Sequence, residues 1–149
     1  MVSAEKQGPL WSTASDIWQE MWEPIRTPLY EALLDACDVV AGTNLLDAGC
    51  GSGAASNRAA IRKAIVSGLD AAEEMIERAR KQVPEGDFRV GDLENLPFDD
   101  NAFDAVVALD SVQFVENKVS AISEMGRVCR NHGKVAIALW DEKDKNDQR

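Results

Sequence analysis

The sequence predicts an α/β domain built on an open, mainly parallel sheet with helices on both faces. Three observations carry that expectation. From Leu45 onward, short apolar runs alternate with longer amphipathic helical patterns, the arrangement that places crossover helices between parallel strands. The first apolar run ends in a glycine-rich bend, "DAGCGSG", where a strand would turn into a helix. The first four runs are each followed closely by an aspartate: Asp47, Asp70, Asp92 and Asp110.

Taken in order, strands are expected over 44–48 (NLLDA), 64–69 (AIVSGL), 87–90 (DFRV), 104–109 (DAVVAL) and 134–139 (KVAIAL). Helices are expected between them over 54–62, 72–82 and 117–130. In the second of these, Met75, Ile76, Ala79 and Val83 form the apolar face, and Pro84 with Gly86 marks the stop. The stretch 94–103 is turn-rich. Ahead of the sheet, Thr27 and Pro28 read as N-cap and first residue of a helix carrying Leu29, Leu33 and Cys37 on one side. Further upstream, Ser12, Thr13 and Ser15 are cap candidates for a helix that sets Trp18 and Trp22 one turn apart. The chain therefore divides into an N-terminal helical segment that packs on or covers the sheet (1–43), the α/β domain (44–141) and a polar tail (142–149).

The formal net charge of −10 over 149 residues repels phosphate backbones and anionic lipid, so neither nucleic acid nor a membrane surface is an expected partner. A small-molecule partner is favoured. Cys37, Cys50 and Cys129 show neither disulfide spacing nor a CxxC, and they read as reduced thiols with no metal site. The N-terminus lacks the apolar core of a signal peptide, and no apolar run approaches the roughly 20 residues of a membrane helix. A cytoplasmic setting is the expectation.

Gly49, Gly51 and Gly53 announce that something lies close to the backbone at the bend. The helix that follows aims its free N–H groups at the same place. A dinucleotide fold is one reading, because Gly49, Gly51 and Ala54 satisfy G-x-G-x-x-G/A and Asp70 lies where a ribose-binding acid is expected. Charge argues for another. Ligands of open parallel sheets bind beyond the carboxyl ends of the strands, and a rim of Asp47, Asp70, Asp92 and Asp110 suits a cation better than a pyrophosphate. S-Adenosyl-L-methionine, a nucleoside bearing a sulfonium and an ammonium, meets both the acids and the helix N-terminus.

At these residues the chain resembles the class I S-adenosylmethionine-dependent methyltransferases, of the small-molecule, type 11-like kind. "LLDAGCGSG" looks like their first motif, and "GLDAAEEMIERAR", "GDLENLPFDDNAFDAVV" and "SEMGRVCRNHGKVAIALW" resemble the later ones in the same order, over about Leu45 to Trp140. The resemblance implies a Rossmann-like methyltransferase fold, S-adenosyl-L-methionine as cofactor, and methyl transfer to a small-molecule acceptor. It implies that Asp47 holds the glycine bend and receives the ammonium, and that Gly49, Cys50, Gly51 and Gly53 lie against the methionine and ribose portions. Asp70, with Ala71 beside it, would accept the ribose hydroxyls; Asp92 and the backbone N–H of Leu93 would meet the adenine. Asp110 opens the segment next to the methyl group.

Methyl transfer from a sulfonium is an in-line displacement that needs alignment more than a base. No catalytic base stands out, and Asp110 is the candidate if one is required. His132 reads as a turn or helix C-cap residue at the far end of strand five. For the acceptor, Ser111, Gln113 and Phe114 follow strand four, while Trp11, Trp18, Trp22 and, less directly, Tyr30 come from the N-terminal segment. The sequence departs from the family in Asn131-His132-Gly133 where Pro-Gly-Gly is common, in Lys63 where a turn glycine is frequent, and in ending after the fifth of seven strands. Strand five, apolar on both faces like an interior strand, would then be an exposed edge, so a missing C-terminal region or a partner copy in a homodimer is expected to cover it. Two other readings stay open at this point: a cofactor-binding module without turnover, and an NAD-dependent oxidoreductase.

Overall fold

The computed structural model describes residues 3–140. The expected tail, 142–149, lies outside the described residues. The N-terminal part is helical almost throughout: α1 (Ser3–Ile17), a π-helical turn (Trp18–Trp22) and α2 (Glu23–Ala36). The sheet domain then runs β1 (Asn44–Ala48), α3 (Ala54–Ile61), β2 (Ile65–Asp70), α4 (Glu73–Gln82), β3 (Asp87–Val90), β4 (Phe103–Leu109), a 3₁₀ turn (Val112–Phe114), α5 (Lys118–Val128) and β5 (Cys129–Ala138).

Every strand pair is parallel, in the order β3-β2-β1-β4-β5. The chain builds outward from β1 to β3, then returns to lay β4 on the other side of β1, so strand order reverses between β1 and β4. Alternation along the central strands feeds two cores. Leu45 and Val107 face a layer with Leu34, Ala59 and Ile76 from α2, α3 and α4, whereas Leu46 and Val106 face Met125 and Val128 of α5. Burial on both faces explains why these strands read as unbroken apolar runs.

Several local expectations change. Pro24, near the start of α2, takes the opening position assigned to Pro28, so Thr27 caps nothing and Pro28 falls inside the helix. Glu23 N–H donates to the Trp18 carbonyl, an i→i+5 bond that admits one extra residue into the turn. Trp18 and Trp22 therefore do not share a face: Trp18 turns inward and Trp22 is 44% exposed. α5 ends at Val128, and β5 begins at once with a bulge that inserts Arg130–Gly133 between the partners of Phe103 and Ala105. His132, at φ +67° in that bulge, is a strand irregularity rather than a helix cap. Lys63 adopts φ +63°, the conformation a glycine would take there without strain. Among the described residues β5 pairs on one side only, and Val135 is 40% exposed.

The turn-rich link between β3 and β4 is ordered by one side chain. Arg127 of α5 donates to the carbonyls of Leu96 and Phe98 at 2.9 Å and to Asp100 at 2.8 Å, with Glu124 holding its guanidinium at 2.8 Å. Glu124 also accepts the Leu96 N–H at 2.8 Å. Replacing Arg127 with Met removes the partner of two carbonyls and two carboxylates, and is expected to cost about 2 kcal/mol, read as a lower urea midpoint at unchanged slope.

Candidate functional site

The strand-order reversal opens a cleft above the carboxyl ends of β1 and β4, the position where open parallel sheets take ligands. It encloses about 840 Å³ including the space at its mouth. Asp47, Gly49, Cys50, Gly51, Asp70 and Ala71 line one part. Asp92, Leu93, Asp110, Ser111 and Phe114 line the other, and α1 with the π turn closes over them through Trp11 and Trp18. The acids expected at the four strand ends thus converge on one space. Among the described residues, no Lys or Arg lines the cleft.

The glycine bend is tied down before any ligand arrives. The N–H groups of Gly49 and Cys50 donate to the Leu69 carbonyl at 2.7 and 3.0 Å, and Gly51 N–H donates to Asp70 Oδ2 at 2.9 Å. Gly49, at φ +78°, has no room for a side chain: a Cβ would sit 2.2 Å from that of Ser111. Gly51, at φ +53°, is the opposite case. A Cβ there would meet nothing closer than Trp18 Nε1 at 3.8 Å, so its bare face opens onto the cleft.

Asp47 is buried beneath the bend and accepts the Ser56 hydroxyl at 2.7 Å, which joins β1 to α3. Burial, reinforced by the neighbouring Asp70, pushes its carboxyl up to about 6. Asp70 also rises through burial, although Ala72 N–H at 2.9 Å and Gly51 N–H bond its two oxygens. Each oxygen keeps a second lone pair for a ligand hydroxyl. Asp92 accepts the Glu94 N–H at 2.9 Å, closing a turn at the cleft edge. Glu23 was not singled out in the sequence. It is 6% exposed, accepts the Ser52 hydroxyl and is raised by burial. Only the folding of α2 over the bend reveals it.

Asp110 stands at the other end, its side chain 1% exposed and its backbone at φ +52°. Arg26 Nη1 lies 2.6 Å from Oδ2, and the Trp140 indole is also close, yet neither oxygen has a partner with hydrogen-bond alignment. Burial pushes this carboxyl up against both neighbours. Ser111 Oγ donates to the Ala48 carbonyl at 2.9 Å. Trp11, Trp18, Trp140 and Phe114 meet in a closed ring of contacts, with centroids 5.1 to 6.3 Å apart. Three expected site residues lie elsewhere. Gly53 packs its backbone on α4, where a Cβ would be 2.9 Å from Ala79 Cα; Trp22 faces outward; and the Gln113 amide is buried outside the cleft lining with both polar atoms unpaired.

These features, an open parallel sheet with an acid-rimmed cleft at its reversal point, define a class that the comparisons with known proteins make explicit. A family profile described as "Methyltransferase domain" matches residues 46–137. The chain is 37% identical over 110 residues to phosphatidylethanolamine N-methyltransferase of Cereibacter sphaeroides, covering 70% of this chain and 54% of that protein. It superposes with TM-score 0.75 and 27% identity on a candidate S-adenosyl-L-methionine-dependent methyltransferase of Methanococcus maripaludis, over 87% of this chain and 62% of that one. The [4+2]-cyclase SpnF is also similar, with TM-score 0.69 and 28% identity over 74% of this chain and 43% of that one. The chain spans about half the length of the curated relatives it matches. It belongs to the class I S-adenosylmethionine-dependent methyltransferase family.

Asp47 yields a prediction on stability. Its folded pKa, near 6, lies above its ordinary 3.8, so the contribution is full below 3.8 and is lost as pH rises through 6. Ionised Asp47 then costs the ligand-free chain up to roughly 3 kcal/mol at neutral pH. Asp47→Asn is expected to raise the thermal midpoint at pH 7.5 and to change it little at pH 4.

Proposed function

We propose that the chain binds S-adenosyl-L-methionine in the cleft and transfers its methyl group to a small-molecule acceptor by in-line displacement. The observation that carries the reading is the gathering of acids, Asp47, Asp110 and Glu23 buried and Asp70 half-buried, around a glycine whose bare face opens into the same space. Bound there, the cofactor supplies a methyl group on a positively charged sulfur. Asp47 and Glu23 favour the cationic methionine end by relieving their own mutual repulsion. Asp70 takes the ribose hydroxyls on its free lone pairs, and Asp92 with the Leu93 N–H meets the base. Trp11 and Trp18 exclude water, which strengthens these charge contacts and aligns the acceptor with the carbon–sulfur axis.

The oxidoreductase reading fares worse because a pyrophosphate at the bend would face Asp47 and Glu23 with no lining cation among the described residues to offset them. Acidic surface charge likewise favours a small acceptor over nucleic acid. The one-sided β5 edge belongs to the same proposal. Further chain or a second copy covers it, and light scattering that reported only monomers, together with fast amide exchange along β5, would remove that part.

Calorimetry tests the central reading. S-Adenosylhomocysteine, the demethylated product, is expected to bind, and NAD is expected not to. Asp70→Ala should weaken the nucleoside at least about tenfold by deleting two charged hydrogen bonds. Affinity should also fall as pH drops below 6, where Asp47 takes up a proton in the ligand-free chain. NAD bound tightly with the nucleoside ignored is the outcome that defeats it.

A further inference from the structure

Three aromatic residues of the cleft lining, Trp11, Trp18 and Phe114, meet a fourth ring, Trp140, behind them. Trp11 meets Trp18 at 5.4 Å and Phe114 at 5.1 Å, and Trp140 completes the circuit at 6.3 Å from both Trp18 and Phe114. Ring faces carry negative potential, and a group of them attracts a cation while excluding water. Packing a helical cover onto a sheet explains aromatic residues here. It does not explain the polar group beside them. Asp110 is buried against the Arg26 guanidinium, 2.6 Å away, with neither carboxylate oxygen in an aligned hydrogen bond. A buried carboxylate whose cation is not aligned on it leaves its hydrogen-bonding capacity to a better-fitting one.

One cation already touches these features. The Arg26 guanidinium lies 5.5 Å over the Trp140 ring and 2.6 Å from Asp110 Oδ2. It balances the charge of Asp110 without aligning on it, and its side chain remains 20% exposed. Arg26 thus occupies both a ring face and a carboxylate that a ligand cation would use. An acidic acceptor that recruited Arg26 would instead approach Glu23, Asp47, Asp70, Asp92 and Asp110, all lining the cleft, with no Lys or Arg among the described lining residues.

We infer that this end of the cleft is an amine subsite: the methyl acceptor is a small aliphatic amine, held as its ammonium by Asp110 and the aromatic circuit once Arg26 swings outward. The inference rests on the cofactor reading above. In the reaction the ammonium passes one proton to the Asp110 carboxylate, and the freed nitrogen lone pair forms the new N–CH₃ bond as the S–CH₃ bond breaks. The electron pair of the broken bond stays on sulfur, leaving a neutral thioether, and the positive charge moves to the methylated nitrogen. Asp110 returns its proton to water. Burial, which raises this carboxyl, suits it to hold the proton briefly.

The test uses the full chain saturated with S-adenosylhomocysteine. N,N-Dimethylethanolamine is titrated against its uncharged shape analogue 3-methylbutan-1-ol and its anionic analogue 3-methylbutanoate, followed by calorimetry and tryptophan fluorescence. The amine is expected to bind about tenfold or more tighter than the alcohol and to quench fluorescence. Asp110→Asn and Trp140→Leu should each erase that preference while keeping the native far-UV spectrum. With S-adenosyl-L-methionine, mass spectrometry should find choline formed by the parent chain. Equal binding of amine and alcohol, tighter binding of the butanoate, or an undiminished amine preference in both variants overturns the inference. A chain that binds the nucleoside and ignores the amine overturns this inference alone, and one that ignores the nucleoside overturns the cofactor reading with it.

Discussion

Asp47 sits in the sheet core with a single hydroxyl partner, and the rest of the cleft is arranged around that unfavourable burial. β1 carries it to the reversal point, the glycine bend folds across it, and Glu23 and Asp70 add like charge nearby. A folded chain would gain stability by removing these acids. That they lie together, next to backbone left bare, is a cost to the fold that the proposed cationic cofactor would offset. The glycines and the acids are one device, since a side chain at Gly51 would stand between the carboxylates and whatever they attract.

The cover over this cleft is made differently from its floor. α1 buries only Ser3, Gly8 and Ser15, and its Gly8 approaches the Ala71 carbonyl so closely that a Cβ would lie 2.5 Å away. Polar contacts hold it on both flanks: Ser3 and Lys6 to Glu94 and Glu116, Asp16 and Gln19 to Arg78. Exposed ion pairs of this sort contribute little each. The floor, by contrast, is two apolar layers closed by Leu45 and Leu46 on opposite faces of one strand.

How much of this was legible in the sequence depends on the range of the interactions. The strands could be read because both faces of each central one are buried, and the bend because Gly49 and Gly51 require positive φ at fixed spacing. The four strand-end acids followed from the same pattern. What escaped was set at long range. Pro24 and Pro28 look equally good as helix openers, and only the helical path from α1 decides between them. Trp22 was lost to a single i→i+5 bond. Glu23 and Arg26 look like ordinary surface charges until α2 folds across the strand ends, and nothing in "RVCRN" says that Arg127 will organise a loop about thirty residues earlier.

The hydrogen bonds that pin Gly49, Cys50 and Gly51 to β2 are complete in the ligand-free chain. Capture therefore demands no ordering of that loop, and the entropy usually lost in such closure has already been spent during folding. The α1 roof would then scale entry and exit together, while their ratio, the affinity, would belong to the bend. A lineage of such proteins can retune how long it keeps its guest by altering surface charges on one helix, without touching the groups that recognise it.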